Sequence, residues 1–240
     1  MIVEVCANSF ESAVNAQKAG ADRIELCSEL AVGGITPSYG LLKAVRSALT
    51  IPVHVLIRPR GGDFSYSDAE FEIMKENVLL CKKIGIDAVV SGVLHPDFTL
   101  DVARTQILIE MSGEMKFTFH RAFDWVLSPL EVFMQLDSMG ADFVLSSGQQ
   151  NSALKGIGLL SELNRKDTRC AIMPGSGITI ENAKQFKEKG FRAIHFTGSR
   201  FERTLPKSPK ISMNATRFLH DEKIAVSHID TIQEIVKAVK

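Results

Sequence analysis

The chain has 240 residues, room for one large α/β barrel or two ordinary domains, with 45% apolar and 23% charged residues and a formal net charge of zero. That charge balance argues against nucleic acid as a main ligand. No apolar run reaches the roughly 18–20 residues that span a bilayer, and the N-terminus runs straight into a strand pattern without a leader, so the expected location is cytoplasmic.

Strand and helix patterns alternate along the whole chain. A strand near 2–6 precedes a helix near 10–19. A strand near 22–27 leads through Gly33, Gly34 and Pro37 to a helix near 38–48. The third strand, near 52–58, ends in Pro59-Arg60-Gly61-Gly62-Asp63, and Ser67 and Asp68 read as an N-cap for a helix near 68–83. A strand near 88–92, a helix near 99–112 and a strand near 116–121 follow. Ser128-Pro129 opens a helix near 128–138, with proline at its first position. A strand near 142–146, a helix near 152–165, a strand near 170–174, a helix near 179–189 stopped by Gly190, and a strand near 192–197 come next. The last helix is near 229–239. The stretch 198–227 departs from the repeat, carries Pro206 and Pro209, and is expected to be a long flexible loop over the barrel mouth.

Eight such units at about 25–30 residues each predict a single-domain (β/α)8 TIM barrel spanning residues 1–240. The alternative, a doubly wound open sheet, would normally carry a GxGxxG or a P-loop after its first strand, and neither is present.

Residues two apart on a strand share a side. In a barrel whose outer face is covered by apolar helices, the polar set must point inward. Inward candidates are therefore Glu4, Cys6, Glu25, Cys27, His54, Arg58, Ser91, Thr118, His120 and His195. The outward set is Val3, Val5, Ile24, Leu26, Val53, Val55, Ile57, Phe117, Phe119, Ile194 and Phe196. Buried charge without partners is costly, so the inward groups must pair with each other or with a ligand.

Each candidate has a plainer reading beside the chemical one. Cys6 and Cys27 end neighbouring strands. Two thiolates there suit a soft ion such as Cu(I), and two small buried hydrophobes are the alternative. Cys81 and Cys170 read as core, and the absence of CxxC spacing argues against a zinc ribbon or a thioredoxin-type site. Glu4 and Glu25 are candidates for acid and base, with His120 as a third catalytic group, or are structural partners of Arg58, Arg60 or a histidine. Arg58 and Arg60 suit an anionic ligand. Arg121 and Asp124 follow His120 as HRAFD and belong to the same ligand-binding set, with His195. Gly175-Ser176-Gly177, after the seventh strand, is placed where many barrels bind phosphate through backbone N–H groups. No inward lysine lies near a strand's C-terminal end, which disfavours a Schiff-base aldolase.

The motifs VEVC, GADRIELC, GGITPS, IPVHVLIRPRGGDF, TFHRAFD and the SGQ at 147–149 resemble the CutC copper-homeostasis family over essentially the whole length. The eighth-strand HFTGS and the tail beyond it match less well. The resemblance implies a TIM barrel, a cytoplasmic homodimer, a role in copper handling, and Cu(I) binding through Cys6 and Cys27. The alternative is a barrel enzyme of unknown reaction acting on a small anionic or phosphorylated metabolite.

Overall fold

A computed structural model describes residues 1–211 and 223–240. Eight parallel strands form one sheet: β1 (Ile2–Ala7), β2 (Arg23–Leu26), β3 (Val53–Leu56), β4 (Ala88–Ser91), β5 (Lys116–Phe119), β6 (Phe143–Ser146), β7 (Ala171–Pro174) and β8 (Ala193–Phe196). They are ordered β7-β6-β5-β4-β3-β2-β1-β8. One parallel bridge, Gly175 to His195, joins the two ends of that order, so the expected barrel is present and closed.

Helices α1 (Phe10–Lys18), α2 (Tyr39–Ala48), α3 (Asp68–Ile84), α4 (Val102–Ser112), α5 (Pro129–Met139), α6 (Ile157–Asn164), α7 (Ile180–Glu188) and α8 (Ile229–Val239) surround it. Local chemistry sets their ends. Ser67 closes a capping box on α3: its hydroxyl accepts from the Glu70 N–H at 3.2 Å, and the Glu70 carboxylate accepts from the Ser67 N–H at 2.8 Å. Ser67→Ala should lower the unfolding free energy by about 1 kcal/mol. A lower urea midpoint at unchanged slope would register it, and an unmoved midpoint would refute the cap's contribution.

The core has two layers. All eleven residues expected to face outward lie in the main apolar layer between sheet and helices. The barrel interior is divided. β6, β7 and β8 fill one part with Phe143, Leu145, Ala171, Met173 and Ala193, whereas β1, β2, β3, β5 and β8 contribute buried polar groups to the rest.

The stretch expected to be a loop differs at both ends. Ser199–Arg203 (β9) and Lys223–Ser227 (β10) form an antiparallel ribbon. It is anchored on α1 and the turn before it. Asn8 and Asn15 donate side-chain N–H to the carbonyls of Ala225 and Ser227, and the Ser227 N–H donates to the Ser12 hydroxyl. The middle of the expected loop, 212–222, lies outside the described residues.

Candidate functional site

A cavity of about 330 Å³ opens at the C-terminal ends of the strands, where barrels place their chemistry. Its lining includes Cys6, Glu25, Cys27, Arg58, His120, Arg121 and His195, with Phe64, Trp125 and Leu145.

The strand register builds the floor. Glu4 pairs across β1–β2 with Arg23 and across β1–β8 with His195. Its carboxylate therefore accepts from Arg23 Nε at 2.5 Å and meets His195 Nδ1 at 2.8 Å, while His54 Nδ1 lies 3.3 Å away. Arg23 also lies over the Phe143 ring at 4.2 Å. Burial works against the Glu4 charge, but Arg23, His195 and His54 together hold its carboxyl well below the usual carboxylate range. Glu25 has the reverse balance. It is buried, its Oε2 has no hydrogen-bond partner among the described residues, and His195 Nδ1 is 3.4 Å away. Burial pushes Glu25 up to about 7, against the pull of His195. Burial lowers His195, but Glu25 and Glu4 outweigh it and raise the imidazole above its ordinary value. His54 is pushed down to about 4 by burial and is neutral near pH 7.

The two thiols stand above this floor. In the β1–β2 register Cys6 faces Glu25, two residues short of Cys27, yet the sulfurs lie 3.6 Å apart. Ligand atoms of Cys6, Glu25 and His195 all lie within 4.8 Å of one another. The hydrogen bond with Cys27, burial and the neighbouring carboxylates hold the Cys6 thiol well above its usual range.

The wall beyond β3 and β5 is cationic and aromatic. Gly92 makes room for His120, since a Cβ there would sit 2.7 Å from the imidazole Nδ1. That Nδ1 accepts from the Ala122 N–H at 3.2 Å. Burial, with Arg58 beside it, pushes His120 down to about 3, so the ring is neutral. Arg58 donates to the carbonyls of Val32, Gly34 and Gly62, stapling two loops to the mouth. Asp124 fixes the rim. It accepts from the Ser146 hydroxyl at 2.6 Å, from the N–H groups of Ser147 and Gln149, and from Arg121 Nε at 2.8 Å.

The structure thus gathers Glu25, Cys6, Cys27, Arg58, His120, Arg121 and His195 at one mouth, with Glu4 buried beneath them and Asp124 behind Arg121. Two expected groups fall elsewhere. Arg60 points away, pairing with Glu70 at 2.5 Å and Asp63 at 3.3 Å, because the chain has left the strand after Leu56 and alternation no longer applies. Gly175, Ser176 and Gly177 do not line the cavity. Gly175 instead carries the bridge to His195 and packs against the Leu145 side chain, whose Cδ1 would lie 2.5 Å from an added Cβ. The expected pairing of the glutamates with Arg58 or Arg60 is also replaced: the histidine alternative holds, joined by Arg23. Arg23 was absent from the inward candidates, although it lies two residues before Glu25 and strand alternation places it on the same side.

A family model described as the CutC family matches residues 1–200. The chain belongs to the CutC family. CutC family proteins of Sodalis glossinidius and Proteus mirabilis are similar to it, at 44% identity over 199 residues (83% of this chain, 79% of the relative) and 43% over 193 residues (80% and 77%). Among solved structures, a Streptococcus agalactiae protein named for copper homeostasis, CutC, superposes with a TM-score of 0.78 at 34% identity, covering 82% of this chain and 98% of that one. Thiamine phosphate pyrophosphorylase from Pyrococcus furiosus (TM-score 0.62, 13% identity, 99% and 95% covered) shares the fold alone. The match to the CutC family model ends at residue 200, within β9, so nearly all of the ribbon and α8 lie beyond it.

Proposed function

We propose that this CutC family member serves copper handling by binding one Cu(I) per chain between Cys6 and Cys27, as a cytoplasmic homodimer. The observation that carries the reading is the 3.6 Å approach of the two sulfurs in the wall of an open cavity. Two thiols are the donor set a soft monovalent ion selects, and His195 stands close enough to add an imidazole. The raised thiol of Cys6 keeps that sulfur protonated until a cation arrives. A coordinating metal deprotonates a thiol outright, so binding should release protons. A reducing cytoplasm keeps such a pair as free thiols.

The test is Cu(I) stoichiometry against a competing chromophoric chelator under reducing conditions. Wild type is expected to hold one equivalent, and Cys6→Ala/Cys27→Ala none. Cys81→Ala, which alters a buried core thiol, should leave the value unchanged. Unaltered copper in the double variant would overturn the reading. Light scattering on the same samples reads the assembly, expected to be a dimer.

A further inference from the structure

Copper binding by two thiols leaves the Arg58 and His120 wall of the cavity without a role, and that wall is expensive to maintain. Arg58 is 5% exposed, yet among the described residues it makes no ion pair; its bonds go to three neutral carbonyls. A buried guanidinium without a counter-anion is unfavourable unless something supplies one. His120 is 4% exposed. Because its Nδ1 accepts from the Ala122 N–H, the neutral ring carries its proton on Nε2. That Nε2 is buried and has no partner among the described residues, although the ring lines the cavity. Arg121 stands at the rim, aimed by Asp124 through its Nε and by the Ser147 hydroxyl through its Nη2. Among the lining residues Glu25 is the one carboxylate, set against the two guanidiniums.

We propose that this wall is an anion site, in which Arg58, His120 Nε2–H and Arg121 take the carboxylate or phosphate group of a small organic molecule. Guanidinium and imidazole N–H groups are the donors such oxyanions select. Phe64 shapes the pocket beside them: its ring centroid lies 4.9 Å from that of His120 and 5.0 Å from the Arg58 guanidinium. The cavity volume is at the small end of the range of about 300–1,000 Å³ in which small-molecule sites fall, which favours a compact ligand. These donors share the cavity with the thiols but include neither sulfur.

The experiment uses the full chain freed of metal by chelator and titrates inorganic phosphate, malonate and neutral malonamide. Calorimetry reads binding, and so does the fluorescence of Trp125, the single tryptophan, which lies on the cavity wall. Saturable binding of phosphate or malonate is expected, with the tighter of the two naming the class, and none of malonamide. Arg121→Ala should weaken the anion by about tenfold or more. His120→Phe should do the same while keeping a ring in place, its melting temperature reporting whether the fold survives. Arg121 is partly exposed, so its variant keeps the test decisive if His120→Phe does not fold. Cys6→Ala/Cys27→Ala should bind the anion as wild type does, which separates this site's failure from that of the copper reading. No saturable response to either anion, equal binding of malonamide, unchanged affinity in Arg121→Ala, or loss of binding with the thiols would each overturn the assignment.

Discussion

Arg23→Ala should lower the unfolding free energy by about 3–5 kcal/mol, the cost of removing one member of a buried ion pair. Glu4 is fully buried, and Arg23 Nε is its closest cation at 2.5 Å. Without it the carboxylate keeps only His195 and His54, and His54 is neutral at pH 7. Removing both charges is a different experiment. Arg23→Met/Glu4→Leu replaces the pair by apolar groups among Phe143 and Met173 and should recover most of the loss, because neither charge then remains unpaired. Urea unfolding of the two single variants and the double gives the coupling. A single-variant cost below about 1 kcal/mol would show that Glu4 is held by its histidines alone.

Acid should destabilise the fold through His120. The imidazole is pushed down to about 3 when folded, against about 6.5 in an unfolded chain. Between those values the unfolded chain binds a proton that the folded one refuses, so stability falls as pH falls. By pH 4.5 the loss from this group is about 2–3 kcal/mol. His54, pushed down to about 4, acts in the same sense. Glu25 acts in the opposite sense. With its carboxyl at about 7, the folded state takes up that proton first, and stability gains as pH falls from 7 towards 4.5. His195, raised by its carboxylate neighbours, also favours the folded state on acidification. The difference between wild type and His120→Phe isolates one group from this mixture. The variant's stability should change less steeply from pH 6.5 to 4.5, by about 2 kcal/mol. Parallel profiles would show that His120 titrates in the fold as it does in the open chain.

These groups were not equally legible. In β1 and β2 the period of two alternates Val3, Val5, Ile24 and Leu26 with Glu4, Cys6, Glu25 and Cys27, and only one face can meet apolar helices. That constraint carried the barrel and most of the mouth. It failed where the chain stops being a strand. Arg60 shares the phase of Arg58, but β3 ends at Leu56, so phase says nothing about its direction. Arg23 differs: it begins β2 directly after a turn, where strand phase is least visible, although alternation gives it the phase of Glu25. The ribbon of β9 and β10 was hidden because it pairs residues 20 to 28 apart through side chains without alternation; every residue of β9 is exposed. The 3.6 Å sulfur distance depends on side-chain reach across a staggered register, which spacing alone does not determine.

The single bridge that closes the barrel has a mechanical consequence. β1 is laced to β2 over four registered pairs and to β8 over four more, whereas β7 and β8 meet through one. The cylinder thus has a stiff arc and a loosely stitched seam. Both sulfurs ride on the stiff arc, so their separation is set like the jaws of a fixed gauge. His195 belongs to both regions, held firmly to β1 on one side and lightly to Gly175 on the other. Strain arriving at the mouth would be relieved along that seam, changing the imidazole's approach to the cavity before it changed the spacing of the thiols.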